Sequence, residues 1–253
     1  MIEESGTFIE NSPGCPTHLY YPQSGGCTCR DCGCGSPLVM DASGIGPFKN
    51  VVGNGDNFYQ FTGLDAESVM FKMKMQHGSW DDTPLQRVAW TKPGGTMLLL
   101  VLPNEQGKVE TGDDLFGNVT HCGAALCHDG FEALKYKCDN SQFGGNNDGF
   151  CDSQDSLYYR LRWLAGRPDD PNAKMYTMAE ISPNLRFDLR KGTYYEMKRP
   201  NILLDTHGNE ARYQGVVRLG TVSSGTGVTT LDRPLWDVWL LDDIHKEIDV
   251  PHR

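Results

Sequence analysis

The sequence lacks any long apolar run. No segment holds about 18 or more consecutive apolar residues, so we predict that the chain does not span a membrane. Its opening residues, MIEESGTFIENSPGC, also lack the basic and apolar regions of a secretory signal peptide. We therefore expect either a protein that stays inside the cell or a mature or excised segment of an exported chain.

Positive charge is also scarce. The 253 residues include 23 Lys and Arg against 33 Asp and Glu, which gives a net charge of −10. Proteins that bind nucleic acid usually carry a basic stripe or patch, and none is visible here. We therefore expect no nucleic-acid partner. An acidic balance suits a protein that handles cations, although it is also typical of ordinary soluble proteins.

Common catalytic motifs are missing as well. The sequence contains no Gly-x-Ser-x-Gly, no phosphate-binding loop, no dinucleotide fingerprint and no His-Glu-x-x-His. Its seven histidines are scattered without metal-ligand spacing. The sequence therefore favours a protein without catalytic activity.

What the chain does contain is cysteine, nine in all, in two groups. Five lie in a Cys-, Gly- and Pro-rich extension over residues 1–35, and four lie between residues 122 and 151 of the remaining domain, 36–253. Such density is typical of disulfides in an oxidising compartment or of a bound metal, so we predict an extracellular or cell-surface protein. The N-terminal CTCRDCGC leaves zinc as an alternative. The segment CGAALCH predicts a small disulfide loop between Cys122 and Cys127, since covalent haem usually needs a shorter cysteine spacing.

Hydrophobic periodicity predicts a β-rich α+β domain. The segment SVMFKMKMQ alternates and places Val69, Phe71, Met73 and Met75 on one face of a predicted strand. Further strands are predicted at RVAW, TMLLLVLP, TYYEMK, EARYQGVVRL and PLWDVWLL. Two segments read as helices instead, residues 129–138 and 153–164, the second because of an apolar stripe of Leu157, Leu161 and Leu164. The fold is thus predicted as one β-rich domain with a short helix–loop–helix insert.

The loop between the two predicted helices is rich in oxygen ligands. The run NNDGFCDSQD places Asn146, Asp148, Asp152 and Asp155 at the third, fifth, ninth and twelfth positions of an EF-hand-like loop, with Gly149 at the sixth. The Phe150 carbonyl and Asp139 would complete the shell, with SQFGG looped out. Position twelve is Asp rather than Glu, as in dockerins. Cys138 and Cys151 bracket the loop closely enough to form a disulfide. Two interpretations stay open, a calcium site and an acidic loop stabilised by turns alone.

Over residues 36–241 the chain resembles a module of secreted bacterial proteins. The resemblance rests on DDLFGN (113–118), DGFEAL (129–134) and the calcium-type loop. These segments are similar to the FrpC-type self-processing module of RTX (repeats-in-toxin) proteins. The resemblance implies a calcium-stabilised, β-rich, exported domain with several EF-hand- or dockerin-like loops.

The resemblance also implies where this chain departs from its relatives. Self-processing members break an Asp-Pro bond through a cyclic anhydride of the aspartate, whereas the matching dipeptide here is Ser36-Pro37. A serine hydroxyl cannot form that anhydride, so we expect the activity to be lost. The other calcium loops of the family have lost acidic ligands in this chain. A weak second calcium site is still implied in LPNEQGKVETGDDLFG, with the ligands Asn104, Glu105, Glu110 and Asp114.

Together these observations predict an exported, calcium-stabilised structural or binding module of a bacterial surface or secreted protein. Calcium is the expected cofactor, and the expected partners are surface molecules or other domains of a larger exported chain. The alternatives are a calcium-dependent self-processing module or its relic, a zinc protein, and an adhesive or glycan-binding module.

Overall fold

The computed structural model describes residues 35–51, 60–64, 67–75, 79–198, 201–224 and 227–242. The predicted Cys-rich extension, and with it the zinc alternative at CTCRDCGC, lies outside the described residues. The described chain is β-rich, as predicted, and its main feature is a ten-stranded antiparallel sheet.

The main sheet has the strand order β7-β10-β13-β14-β1-β4-β8-β9, and β11 and β12 each pair with β13. Two-stranded sheets form separately between β2 and β3 and between β5 and β6. The strands are β1 (Leu38–Asp41), β2 (Val69–Phe71), β3 (Gln86–Val88), β4 (Met97–Val101), β5 (His121–Cys122), β6 (Ala125–Leu126), β7 (Phe150–Cys151), β8 (Arg162–Ala165), β9 (Lys174–Tyr176), β10 (Arg186–Asp188), β11 (Tyr195–Glu196), β12 (Leu203–Leu204), β13 (Glu210–Ser224) and β14 (Gly227–Trp239).

Helical structure is short throughout the described residues. Two α-helices, α1 (Gly130–Leu134) and α2 (Met178–Ile181), are each little more than one turn long. A π-helical turn (Lys135–Asp139) continues α1, and 3-10 turns occur at Gly46–Phe48, Gly112–Asp114, Ser141–Phe143 and Ser156–Arg160. The structure therefore shows the β-rich part of the prediction and does not confirm a helix–loop–helix insert.

The centre of the sheet is buried on both faces. In β4, Leu98 and Leu100 pack into one hydrophobic cluster, while Met97, Leu99 and Val101 pack into another on the opposite face. A strand covered on both sides has no polar face, which explains why its sequence reads as the continuous apolar run MLLLV. All five side chains are essentially inaccessible to solvent.

The second predicted helix, residues 153–164, is wrong. The chain forms the 3-10 turn Ser156–Arg160 and then strand β8, which pairs with β4 and β9. Adjacent Trp163 and Leu164 point into opposite hydrophobic clusters, as successive residues of a strand do. The helical stripe was misleading because Leu161 and Leu164 do not share a face: each belongs to a different cluster.

The first predicted helix is confirmed in part. Residues 130–134 are α-helical, and Asp129 caps the helix by accepting a hydrogen bond from the Glu132 N–H at 2.8 Å. The π-helical turn that follows ends at Asp139. The helical segment therefore runs from the hydrophobic core to Asp139, the first residue of the acidic loop.

Candidate metal centre

The acidic loop, residues 139–155, starts and ends in buried structure. It begins at the π-helical turn, passes through β7, and ends where the 3-10 turn Ser156–Arg160 starts. Strand β7 is paired with β10, with Phe150 opposite Asp188 and Cys151 opposite Phe187. The loop is thus attached to one end of the main sheet.

A disulfide between Cys138 and Cys151 closes this loop, as predicted. The two Cα atoms lie 5.7 Å apart, the residues are separated by 13 positions, and both are fully buried in the larger core cluster. The predicted disulfide between Cys122 and Cys127 also forms. The first disulfide holds the beginning of the acidic loop against its second half, because Cys138 precedes Asp139 and Cys151 precedes Asp152.

Two carboxylates form the inner part of the loop. Asp139 and Asp155 are 2% and 1% exposed, respectively, although both are charged residue types. The two oxygens of Asp155 accept hydrogen bonds from the backbone N–H groups of Asn146 (3.1 Å) and Asp152 (2.9 Å). Oδ2 of Asp139 accepts one from the Gly149 N–H at 3.1 Å, whereas Oδ1 is buried and has no hydrogen-bond partner in the described part of the chain. An acceptor buried in this way is costly unless something binds it.

The remaining predicted ligands form the outer part of the loop. Their side chains make short-range turns: Asn146 Oδ1 accepts from the Asp148 N–H at 3.0 Å, Asp148 Oδ1 from the Phe150 N–H at 2.8 Å, and Asp152 Oδ1 from the Gln154 N–H at 2.9 Å. The Asn146 amide also donates to Asp148 Oδ2 at 3.1 Å. Gly149 has a positive φ of 86°, which is the left-handed conformation expected of the glycine at the sharp turn of a calcium loop.

Electrostatic repulsion acts between the four aspartates. Burial raises the pKa of Asp139, and the neighbouring charges of Asp155 and Asp148 raise it further. Burial likewise raises the pKa of Asp155, with further contributions from Asp152 and Asp148. Backbone N–H groups offset part of this effect at both sites. The loop therefore holds several carboxyl groups close together where their ionisation is unfavourable. A bound cation would make their ionisation favourable.

The carboxylates of the loop lie near each other, but their oxygens are not close enough together to coordinate one ion. Among the described residues, the one trio with all its ligand atoms within 4.8 Å of one another is Cys138, Cys151 and Asp155. The two sulfurs are bonded to each other, so they supply no thiolate for zinc. No three of the four aspartates form such a group. A cation held by the predicted ligands therefore requires the outer carboxylates to move inward.

The second implied calcium loop has a different arrangement. Asn104 Oδ1 accepts hydrogen bonds from the backbone N–H groups of Gln106 and Lys108, and its amide donates to Glu110 Oε2 at 2.9 Å. Asp114 Oδ2 accepts from the Glu110 N–H at 2.8 Å and from the N–H and hydroxyl of Thr111, and Glu105 is exposed. These side chains stabilise a turn, and no three of the acids form a ligand cluster within the described chain.

Ser36, the residue at the implied cleavage position, is fully buried. Its N–H and hydroxyl donate to Asn118 Oδ1 at 3.0 and 3.2 Å, and the Asn118 N–H donates back to the Ser36 hydroxyl at 3.1 Å. Gly117 packs so closely against the Ser36 carbonyl that a Cβ atom could not be accommodated there. This contact uses the glycine and asparagine of DDLFGN, which explains one role of that motif.

Sequence reasoning missed two charged groups. Asp237 is fully buried near the C-terminal end of β14, where its Oδ2 accepts a hydrogen bond from the Gly130 N–H at 2.7 Å. Asp188 lies under two arginines, with Arg190 and Arg218 donating to its Oδ2 at 2.7 and 2.8 Å. A lone acid within the apolar strand WDVW was a usable signal for Asp237. For the arginine cluster the local pair of Asp188 and Arg190 was a partial signal, whereas Arg218 had none because it lies 30 positions from Asp188.

No protein-family model matches the chain, and no curated protein is significantly similar to it. Within the described residues, no helix is both long and apolar enough to cross a membrane.

Proposed function

We propose that the chain is an exported, calcium-stabilised structural or binding module of a bacterial surface or secreted protein, and that it has no catalytic activity. The observation that carries the calcium assignment is the buried Oδ1 of Asp139, which has no hydrogen-bond partner among the described residues and whose carboxylate is repelled by the charges of Asp155 and Asp148. A divalent cation at this point would satisfy that oxygen and neutralise the repulsion together.

The chemistry of the donor set favours calcium over other metals. The candidate ligands are the carboxylates of Asp139, Asp148, Asp152 and Asp155, the Asn146 carboxamide and the Phe150 carbonyl, all of them hard oxygen donors of the kind that Ca²⁺ prefers. The neighbouring cysteines are oxidised to a disulfide, which removes the soft donors that zinc would use. Flexible loop geometry also suits calcium, whose coordination number and angles are less strict than those of magnesium.

The role of the cation would be in folding. The chain's own residues supply the scaffold: the disulfide and the β7–β10 pairing hold the two halves of the loop, and the cation would draw Asp148 and Asp152 inward. Calcium that binds only the folded state stabilises it by about 2.7 kcal/mol at a concentration of 100 times its Kd. Extracellular calcium is about millimolar, so even a weak site would fill after export.

Export is supported by the two disulfides, which persist in oxidising compartments and are rare in the cytosol. The resemblance to exported RTX modules points the same way. Self-processing at Ser36-Pro37 is not proposed, because a serine supplies no carboxylate to attack its own carbonyl and form the anhydride.

The test is a pair of aspartate variants followed by thermal melting. In the wild type, we expect millimolar calcium to raise the Tm and chelation to reverse the change. Asp148→Ala should lose most of this response. Asp139→Asn should lose it as well, and its calcium-free Tm should exceed that of the wild type because it removes a buried, repelled charge.

The control is Asp81→Ala, which removes an exposed acid outside the loop. It should keep the full calcium response. Equal melting of the wild type with calcium and with chelator would refute the proposal, and so would an undiminished response in both loop variants.

A further inference from the structure

A cleft of about 520 Å³ lies beside the acidic loop. Its volume falls in the usual range for sites that hold small ligands, which is about 300–1,000 Å³. One wall is the second half of the acidic loop, and the other is formed by β10, β13 and the turn before β10. The polar and aromatic side chains that line it include Asp152, Ser153, Tyr158, Asn184, Arg186 and Arg218.

Two arginines line the cleft, and among the described residues one of them, Arg186, has no acidic partner. Arg186 and Arg218 are cross-strand neighbours on β10 and β13. Arg218 is engaged with Asp188 and Asp232, at 2.8 and 3.3 Å. Arg186 has no acidic oxygen within 4 Å among the described residues, and its guanidinium lies over the Phe150 ring, 4.6 Å from the centroid. Stacking on the ring holds the guanidinium in place and leaves its N–H groups for an anion.

The rest of the cleft suits a sugar. Ser153 offers a hydroxyl and exposed Asn184 a carboxamide, and groups of these kinds bind sugar hydroxyls. Next to the cleft, Tyr159 is 65% exposed, and its hydroxyl is fixed by donating to the Ser153 carbonyl at 2.9 Å. An exposed, oriented aromatic ring at the edge of a polar cleft is a suitable platform for the apolar face of a sugar ring.

We propose that this cleft binds an acidic sugar, a uronate, with its carboxylate on Arg186 and its hydroxyls on Ser153 and Asn184. The proposal deepens the proposed function, on which its calcium dependence rests. Asp152 belongs both to the cleft and to the candidate calcium ligands, so its free carboxylate repels an anion in the absence of the cation. Calcium would neutralise that charge and strengthen uronate binding, and by linkage uronate would strengthen calcium binding by the same factor.

The experiment titrates the intact chain with trigalacturonate, in millimolar calcium, by isothermal calorimetry and by NMR shifts of residues around the cleft. Galactotriose is the neutral matched probe. We expect trigalacturonate to bind, and galactotriose or the variant Arg186→Gln to weaken binding about tenfold or more, as expected from loss of a charge-assisted hydrogen bond. Arg160→Gln is the control, since Arg160 is exposed and does not line the cleft. It should bind as the wild type does.

Calcium dependence is measured on the same samples after chelation, with circular dichroism to verify that the fold persists. A several-fold weaker affinity for trigalacturonate supports the proposal. If calcium binds by calorimetry but leaves that affinity unchanged, the coupling is wrong while the proposed function stands. Three results would overturn the assignment of the cleft to an acidic sugar. They are absence of trigalacturonate binding, equal effects of Arg186→Gln and Arg160→Gln, and binding of a triglutamate peptide as tight as that of trigalacturonate.

Discussion

At the scale of single residues, the molecule contains two kinds of buried carboxyl group. Burial alone would raise the pKa of Asp188, but hydrogen bonds from Arg190 and Arg218 outweigh this effect and hold the pKa well below its usual range. Asp237 has no such arginine pair among its hydrogen-bond donors, and burial raises its pKa well above the usual range despite the hydrogen bond from the Gly130 N–H. Asp188 is therefore a buried ion, whereas Asp237 favours the neutral acid.

Asp237 should make the calcium-free protein less stable as the pH rises. Its pKa is raised in the folded state, so the folded protein binds the proton more tightly than the unfolded chain does. The resulting stability is fully present below the ordinary aspartate pKa and is lost as the pH rises through the raised value. Asp237→Asn, which keeps an oxygen acceptor for Gly130, should flatten this part of the pH profile. The measurement is urea unfolding in chelator over a series of pH values.

Asp81→Asn serves as the control, because Asp81 is exposed and should leave the pH profile unchanged. Burial also raises the pKa of Asp129, which lies near Asp237. The Asp237→Asn variant should therefore reduce the slope of stability against pH without removing it. A profile for Asp237→Asn that superimposes on that of the wild type would show that this carboxyl is ionised in the folded protein.

At the scale of elements, the loop depends on what holds its ends. The π-helical turn brings Asp139 out of the core, the Cys138–Cys151 disulfide fixes the turn to β7, and β7 is paired with β10. The loop can then change shape between fixed ends, which is what inward movement of its outer carboxylates requires. The same disulfide restricts the unfolded chain and so also stabilises the fold.

Removing this disulfide should have a larger effect than removing the other one. For Cys138→Ser/Cys151→Ser we expect a loss of about 3 kcal/mol of unfolding free energy, against about 2 kcal/mol for Cys122→Ser/Cys127→Ser, whose closed loop is shorter. The first double variant should also bind calcium more weakly, and the second should bind it as the wild type does. Denaturant unfolding and calcium calorimetry measure the two effects. Equal calcium affinity in both variants would show that the disulfide does not organise the loop.

The elements also show how far sequence patterns reach. Alternation placed Val69, Phe71, Met73 and Met75 on one face, and the first three are buried while Met75 is only partly so. Cysteine spacing predicted the disulfide around the loop, because this signal is local too. The second helix was mispredicted since a strand between two hydrophobic clusters can also show leucines at helical spacing. The contacts of Arg218 were unpredictable because they join β13 to β10 and to β14: Arg218 is 30 positions from Asp188 and 14 positions from Asp232.

At the scale of the whole molecule, the loop is attached to the principal sheet. Because β7 pairs with β10, β10 with β13, and β13 with β14, calcium binding at the loop should stabilise the whole sheet against global unfolding and not only the loop against local opening. In a chain of net charge −10, a divalent cation also lowers the total repulsion of the compact state. These two effects together would make folding more favourable where calcium is plentiful.

Hydrogen exchange tests this coupling. Calcium should slow exchange of the backbone N–H groups of β13 and β14 by the same factor as it slows those of β7, provided that they exchange through global unfolding. Protection confined to residues 139–155 would mean that calcium orders the loop without stabilising the sheet.

The most direct measurement is a high-resolution crystal structure grown in millimolar calcium. We predict an ion between the two halves of the acidic loop, with Asp139 Oδ1 and the Asp155 carboxylate at about 2.3–2.6 Å from it and with Asp148 and Asp152 drawn inward. A map that shows water beside Asp139, with the outer carboxylates still turned away under saturating calcium, would contradict the assignment of this loop as a calcium site.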